Sequence, residues 1–326
     1  MKKKVHFLTV GIFLSVIFGF TILFLLLPDR AFSEMENRSL RTLPTLTGSR
    51  LMSGAYASDI NDYFADQFPM RDLLVSWKAD AELVLGKGEN DGILLGKNGQ
   101  LAKRFFDMAC ADGTCASSMD APDIAHLRGA ANGILRAEHA LEQKGIPFCA
   151  LLTGRTVDVC ASAFDYPNDY SDRMLNTLHE SLRASDSYLN MVEQMRVRYD
   201  NGEAVYYKTD HHWTTLGAYY AYIDVMRALG MEKDILPKEA FARQTVSNSF
   251  YGTFFSASGM RFVKPDTVEI WTRGNEADFT VVADGKCLEG FYEWKHLKNK
   301  DHYSIFLDGV HDVVTIQKDT VEQRPK

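Results

Sequence analysis

The longest stretch of apolar residues lies at the N-terminus of the chain. Residues 7–27 contain no charged side chain. Only Val5 and His6 separate them from Lys2, Lys3 and Lys4. About 20 apolar residues suffice for one helix to span a bilayer, and a basic cluster stays on the cytoplasmic side. The pattern predicts a transmembrane signal anchor over residues 1–28. The rest of the chain is then extracytoplasmic, in a single-pass protein of the cell membrane.

A cleaved signal peptide is the alternative interpretation of this segment. Ala31-Phe32-Ser33 loosely fits a cleavage site that has small residues at its first and third positions. The anchor is favoured because the apolar run is longer than the usual hydrophobic region of a signal peptide. Both interpretations place the body of the chain outside the cytoplasm.

Helical and strand patterns alternate after a polar juxtamembrane linker, which is predicted over residues 29–55. Apolar positions at helical spacing predict two helices within residues 56–85, separated at Pro69. An apolar run closed by Asn98-Gly99 predicts a β-hairpin. Further helices are predicted at residues 124–144, 170–183 and 215–229, strands at 146–152 and 204–208, and a strand leading into a helix at 188–198.

This alternation indicates an α/β fold. Strands that alternate with helices over residues 120–230 favour right-handed crossovers and a mainly parallel sheet. A ligand site in such a sheet lies beyond the carboxyl ends of the strands. The α/β domain is expected to cover residues 56–326. Its last part is expected to hold peripheral strands and turns, with short apolar runs at 267–271, 279–282 and 304–307.

Composition narrows the classes of function. Of the 326 residues, 46% are hydrophobic and 24% are charged, which is typical of a folded protein. The net charge of −7 and the lack of a long basic run argue against binding to nucleic acid. Cys110 and Cys115 are close enough for a small-loop disulfide, whereas Cys149, Cys160 and Cys287 are scattered and are interpreted as buried small hydrophobic residues.

The strongest chemical signal is the block Asp210-His211-His212-Trp213, between a predicted strand and a predicted helix. Thr214 is a natural N-cap, so the helix is expected to start directly after Trp213. Alternate side chains of a loop can point the same way, which favours Asp210 and His212 as a pair. A histidine held by a carboxylate is the general-base half of a nucleophilic triad.

A metal site is a rival interpretation, since histidine and aspartate are metal ligands. No third or fourth ligand is recognisable near the two histidines in the sequence, so no metal and no cofactor are expected. Cytoplasmic DHH phosphoesterases share three letters of the block. They need a further Asp-rich motif near the N-terminus, which this chain lacks, and their compartment differs.

The block and several other segments resemble the DHHW proteins, which are related to the alginate O-acetyltransferase-like (SGNH-like) proteins of bacterial cell envelopes. The central segment runs from Lys208 to Tyr220. Supporting segments are Ser33-Glu34-Met35-Glu36-Asn37-Arg38, Asp66-Gln67-Phe68-Pro69-Met70-Arg71-Asp72, Leu94-Leu95-Gly96-Lys97-Asn98-Gly99, Gly252-Thr253-Phe254-Phe255-Ser256-Ala257-Ser258-Gly259 and Asp301-His302-Tyr303-Ser304-Ile305-Phe306-Leu307. The resemblance implies a flavodoxin-like, three-layer SGNH fold and a Ser-His-Asp triad in which Asp210 and His212 are two of the catalytic residues.

The nucleophilic serine of that triad has no match here. In the relatives it follows the Asp-x-His-Trp motif at a distance, on a strand-to-helix turn, and the chain ends at Lys326, about where that turn would begin. Ser256, Ser258 and Ser304 are poor substitutes. The fold is therefore expected to be incomplete at the C-terminus, and the chain is expected to be inactive as given.

Three functions follow. The first is an extracytoplasmic O-acetyltransferase or acetylesterase-type protein that acts on cell-envelope polysaccharide, with an acyl-donor partner that the sequence does not identify. His211, Trp213 and Arg155 are its candidate substrate-binding residues, although a core role for Trp213 and a surface role for Arg155 stay open. The second is a non-catalytic envelope protein that binds glycan or a partner protein. A metal-dependent hydrolase is a third possibility, favoured only if a further ligand lies near both histidines.

Overall fold

The structure is a computed structural model that describes residues 2–104, 121–165 and 169–318. Backbone contacts divide the chain into two compact units. Unit 1 comprises the chain up to Gly86 together with Gly259–Arg261, and unit 2 comprises Lys87–Ser258 and Phe262–Lys326. Cys110 and Cys115 lie outside the described residues.

Unit 1 is helical. Its elements are α1 (Lys2–Leu26), β1 (Phe32–Ser33), β2 (Arg38–Ser39), α2 (Gly48–Met52), α3 (Ala55–Asp66) and α4 (Arg71–Val84). Within α1, residues His6–Leu26 are long and apolar enough to cross a membrane. The two helices predicted within residues 56–85 are confirmed, and Pro69 lies in the turn between them, where the missing N–H costs no helical hydrogen bond.

Unit 2 carries the remaining elements. Its helices are α5 (Ala121–Glu142), α6 (Thr156–Val159), α7 (Asp169–Leu182), α8 (Met191–Asp200), α9 (Thr215–Ala228) and α10 (Thr253–Ser258). Its strands are β3 (Glu89–Asn90), β4 (Ile93–Leu95), β5 (Leu101–Lys103), β6 (Ala150–Leu152), β7 (Tyr188–Asn190), β8 (Ala242–Phe250), β9 (Asp266–Thr272), β10 (Phe279–Ala283), β11 (Lys286–Cys287) and β12 (Val314–Lys318).

The strands of the described residues form small sheets. The pair β6-β7 is parallel, whereas β1-β2, β3-β4-β5, β8-β9 and β11-β10-β12 are antiparallel. The hairpin at Asn98-Gly99 is confirmed as β4-β5, and both turn residues have the positive φ that this dipeptide tolerates. One mainly parallel sheet is not confirmed by these pairings.

The strand predicted over residues 204–208 is wrong, and these residues therefore add no strand to a parallel sheet. Tyr206 forms a single antiparallel bridge with Trp213 instead of joining a ladder. The Tyr207 amide donates to the His212 carbonyl at 3.2 Å, and the Thr214 amide donates to the Val205 carbonyl at 2.9 Å. The segment therefore pairs with its own continuation, as the two sides of a tight loop.

Two further expectations need correction. The apolar run at 304–307 is not a strand, because a 3₁₀ helix covers His302–Ile305. Cys287 is exposed rather than buried, and Cys149 is only half-buried, while Cys160 is buried as expected. Burial raises the pKa of the Cys160 thiol, which is consistent with an inert core residue.

Two apolar clusters in unit 2 support the loop that holds Asp210. The larger cluster joins α6, α8 and α9 to β9 and includes Val205, Tyr206 and Trp271. The smaller cluster contains Tyr207, Phe250, Val268, Ile270 and Ile305. Val205, Tyr206 and Tyr207 are all buried, so the core holds the side of the loop that precedes Asp210.

Candidate active site

The loop between Tyr206 and Trp213 presents the three polar residues of the motif. The bridge between these two aromatic residues closes the base of the loop. Beyond the bridge, Thr214 caps α9 with its hydroxyl, which accepts a hydrogen bond from the Gly217 amide at 3.2 Å, as the sequence predicts. The motif thus lies in a loop with both ends fixed by backbone hydrogen bonds and a helix cap.

Asp210 is the buried centre of the site, with only 2% of its surface exposed. Its Oδ1 lies 2.5 Å from Nδ1 of His212 and accepts the His212 amide at 3.0 Å. Its Oδ2 accepts the amide of Thr253 at 2.8 Å and the hydroxyl of the same residue at 3.1 Å. A buried carboxylate with four hydrogen bonds is fixed in orientation and has the partners that burial requires.

Gly252 and Thr253 bring a second segment against the loop. A Cβ at Gly252 would lie 2.2 Å from Cβ of Asp210 and 2.3 Å from its Oδ2, so only glycine allows this approach. The Gly252 amide donates to the Thr209 hydroxyl at 3.0 Å. In the sequence this segment belongs to the family resemblance, but nothing there marks either residue as part of the site.

His212 is held between Asp210 and two rings. Its imidazole stacks on the Tyr303 ring at 3.8 Å between centroids and an angle of 11°, and the His211 ring lies 3.8 Å away on a tilt of 37°. Because an ionised carboxylate only accepts hydrogen bonds, Nδ1 of His212 is the donor to Asp210. Nε2 is then the acceptor that a general base needs, and 35% of the side chain is exposed.

His211 reaches the same carboxylate through a hydroxyl. Its Nδ1 lies 2.8 Å from Oγ1 of Thr253, which donates to Oδ2 of Asp210. Burial lowers the pKa of His211, and the charge of Asp210 offsets part of this effect. His211 is therefore linked to the aspartate but does not share the direct contact of His212.

Electrostatics keep Asp210 ionised. Burial alone would raise its pKa, but the hydrogen bond from His212 and the backbone hydrogen bond from Thr253 lower the pKa to about 2. Tyr303 responds in the opposite way: burial and the charge of Asp210 raise its pKa to about 12. The site therefore combines a fixed negative charge, two imidazoles and a neutral phenol over the neutral pH range.

The same three residues could in principle hold a metal ion, since ligand atoms of Asp210, His211 and His212 all lie within 4.8 Å of one another. An ion bound at about 2.0–2.2 Å by both an oxygen and a nitrogen would keep those atoms about 3.3 Å apart. The 2.5 Å separation of Oδ1 and Nδ1 instead fits a hydrogen bond. The geometry therefore favours an Asp-His pair over shared coordination.

The structure gives Trp213 and Arg155 partners of their own. Trp213 is partly buried and packs against the larger apolar cluster of unit 2. The guanidinium of Arg155 bonds the Asp158 carboxylate through Nε at 2.8 Å and Nη2 at 3.0 Å, at the start of α6. The packing of Trp213 favours its core role, and the contacts of Arg155 are those of a helix start. Their roles in substrate binding stay predictions.

Each of the three candidate serines has a hydrogen-bond partner of its own. The Ser256 hydroxyl donates to the Gly252 carbonyl at 3.1 Å and accepts from Nζ of Lys300 at 2.7 Å. Ser258 is fully buried, and Ser304 donates to Asp301 at 2.6 Å. Within residues 2–104, 121–165 and 169–318, no serine hydroxyl bonds to His212.

A buried aspartate orients one imidazole of a His-His-Trp loop. The site is therefore of the Asp-His type, on an α/β scaffold. In comparison with known families, residues 177–283 match the model of the DHHW protein family. The resemblance seen in the motifs is thereby confirmed. Curated proteins give no match to the chain.

Solved structures similar to the chain include Bacillus cereus PatB1, determined with a sulfonyl adduct. The two chains are 17% identical with a TM-score of 0.53, over 71% of this chain and 74% of that chain. At this identity the likeness shows a shared fold and not a shared activity.

Two weaker similarities were also found. The O-acetyltransferase domain of Pseudomonas putida AlgJ is 18% identical with a TM-score of 0.41, over 56% of this chain and 64% of that chain. A DHHW family protein from Eubacterium siraeum is 19% identical with a TM-score of 0.40, over 69% of this chain and 74% of that chain.

Proposed function

We propose that this chain is an extracytoplasmic SGNH-like protein of the O-acetyltransferase or acetylesterase type, acting on cell-envelope polysaccharide, in which Asp210 orients His212 as general base. The observation that carries the proposal is the 2.5 Å contact between Oδ1 of Asp210 and Nδ1 of His212. The match to the DHHW family and the fold shared with PatB1 support it.

The chemistry of the proposal follows from the orientation of the imidazole. Nε2 of His212 would accept the proton of an attacking hydroxyl, and the resulting imidazolium would be stabilised by the charge of Asp210. Thr253 keeps the carboxylate in place with two hydrogen bonds, so the pair needs no rearrangement during the reaction. Stacking against Tyr303 fixes the plane of the His212 ring.

The nucleophile is the part of the triad that the described serines do not supply. We therefore propose that the chain as given keeps the Asp210-His212 pair of this type of protein but lacks acyl-transfer activity. A non-catalytic protein that binds envelope glycan is the second candidate, favoured by the bonds that occupy Ser256 and Ser304. His211, Trp213 and Arg155 are its candidate contacts with the polymer, as they are in the enzyme.

The finer points of the fold are also proposals. The parallel pair β6-β7, the helices α5, α7 and α8 and the likeness to PatB1 support a flavodoxin-like, three-layer arrangement in unit 2. The proposed boundaries are 1–28 for the anchor, 29–55 for the linker and 56–326 for the SGNH-like domain.

A reactive probe tests the proposed lack of a nucleophile. A sulfonyl fluoride should leave the mass of the purified protein unchanged, and hydrolysis of p-nitrophenyl acetate should stay near background. His212→Ala should change that rate by less than about twofold, because removing a further member of an incomplete triad adds little. A sulfonyl adduct on Ser256, Ser258 or Ser304 that His212→Ala prevents would show that the chain is a working enzyme.

Topology is tested separately. With the basic N-terminus inside and His6–Leu26 as the span, the chain from Arg30 onward should be degraded when protease is added to intact protoplasts. A cytoplasmic protein in the same cells serves as the control for intactness. Protection of both proteins would mean that the body of the chain is on the cytoplasmic side.

A further inference from the structure

Unit 1 exposes apolar side chains on two helices that follow the proposed anchor. The exposed fractions of five residues lie between 38% and 57%, and these are Phe64, Phe68, Met70, Leu73 and Trp77. Phe64 lies on α3, Leu73 and Trp77 lie four residues apart on α4, and Phe68 and Met70 lie in the turn between the two helices. Residues four apart, such as Leu73 and Trp77, share one face of a helix. The five residues are called the apolar face below.

Ring contacts join this face to α1. The Phe68 ring stacks on the Phe20 ring with centroids 5.2 Å apart, and Phe64 lies 5.2 Å from Phe24. Phe20 and Phe24 both belong to the segment that is apolar enough to cross a membrane. The end of α3 therefore packs beside the last turns of the proposed span.

These contacts fix the depth of the apolar face. At 1.5 Å per residue, Phe24 lies about 3 Å and Phe20 about 9 Å inside the end of the span at Leu26. Helices that lie in the plane of a membrane bury their apolar side about 5–10 Å into the boundary between headgroups and acyl chains. A Phe68 ring that stacks on Phe20 reaches the same depth.

The polar residues around the face fit this placement. Tyr63 contacts Phe24 with its ring and donates its hydroxyl to Asp29, three residues beyond the span, at 2.9 Å. This arrangement of an apolar ring and a polar tip is typical of a membrane interface. The carboxylate of Asp66 is buried and accepts a hydrogen bond from Arg38, while Arg71 donates one to Glu36. These two charges next to the face are thus paired within unit 1.

We propose that α3 and the first half of α4 dock on the outer leaflet of the membrane that α1 crosses, with the apolar face inserted at the level of the headgroups and upper acyl chains. The inference rests on the proposed anchor and adds a second membrane contact to it. Trp77 and Phe68 would be its interfacial residues, since aromatic side chains favour this zone. The docked pair would restrict the motion of unit 1 relative to the bilayer.

Tryptophan quenching tests this proposal in the full chain. The protein is reconstituted in phosphatidylcholine and phosphatidylglycerol vesicles, with or without bromine on the acyl chains. Trp77 is one of four tryptophans, so bromine should remove up to a quarter of the emission. Trp77→Phe should abolish this loss. Trp294→Phe should retain it, and it is a matched control because Trp294 lies in unit 2 and is 46% exposed, against 57% for Trp77.

Three outcomes would overturn the inference. Equal emission in both kinds of vesicle would place Trp77 in water. A loss that persists in Trp77→Phe, or vanishes in Trp294→Phe, would assign the quenching to another tryptophan. Failure of the protein to float with the vesicles would contradict both the proposed anchor and the docked apolar face. The proposal for Asp210 and His212 would be unaffected.

Discussion

Asp210→Asn is expected to destabilise the folded protein by about 2–3 kcal/mol at neutral pH, although the two side chains have the same size. The aspartate accepts four hydrogen bonds from His212 and Thr253. An asparagine can accept on one atom only, so its NH₂ group would face donors in a buried position. Leaving a buried polar group without its partner costs about 1–3 kcal/mol, and more where a charge was involved.

The loss should depend on pH in a defined direction. The pKa of Asp210 is lowered from 3.8 to about 2 in the folded protein. A carboxyl with a lowered folded-state pKa stabilises the protein above its unfolded pKa, and this contribution is lost as the pH falls through the folded value. The ionised form of Asp210 thus contributes about 2 kcal/mol at neutral pH. Its loss is confined to the range from about pH 5 down to about pH 2.

Urea unfolding of the wild type and the variant at a series of pH values measures this effect. The difference in free energy of unfolding should be largest above pH 5 and should shrink toward pH 2. Asp62→Asn is the control, because it makes the same change from carboxylate to amide at an exposed position. An Asp210→Asn difference that stays constant from pH 7 to pH 2 would contradict an ionised, hydrogen-bonded Asp210.

Elements fixed by neighbouring residues could be predicted from the sequence. The helices at Ala55–Asp66 and Arg71–Val84 follow from apolar periodicity interrupted by Pro69. The cap at Thr214 and the turn at Asn98-Gly99 need only local chemistry. The same is true of the Asp210-His212 pair, since residues two apart in a loop can be judged from the sequence.

Features that depend on distant segments could not be predicted. Residues 204–208 have the composition of a strand, but Val205 and Tyr207 pair with the loop's own return at Thr214 and His212. Strand propensity does not specify a partner, so the sequence alone does not reveal this pairing. Thr253 is 43 residues away from Asp210 in the sequence, and nothing in its neighbouring sequence marks it as a hydrogen-bond donor to that carboxylate.

Trp213 shows the same limit for a single side chain. An aromatic residue beside two histidines suits a sugar-binding crevice, yet an aromatic residue also suits a core. The sequence left both roles open, and the bridge to Tyr206 together with packing on the larger apolar cluster favours the core. Only the tertiary position of α9 and β9 distinguishes the two roles.

The close approach of Gly252 to Asp210 gives the last prediction. A methyl group at position 252 would lie 2.2 Å from Cβ of Asp210, 2.6 Å from Cγ and 2.3 Å from Oδ2. Asp210 cannot move aside cheaply, because its four hydrogen bonds fix it to both the loop and Thr253. The added atom must therefore separate the two segments or displace the carboxylate.

Gly252→Ala is therefore expected to lower the free energy of unfolding by about 3 kcal/mol, at the upper end of the usual cost of overpacking. The proton NMR signal of the His212 Nδ1–H, shifted downfield by the carboxylate in the wild type, should be lost or moved. Gly129→Ala is the control, since Gly129 lies in α5 with open space around it, and alanine there should stabilise the protein by up to about 1 kcal/mol. Equal stability of Gly252→Ala and wild type, with the imidazole signal unchanged, would show that the 252–253 segment does not hold Asp210.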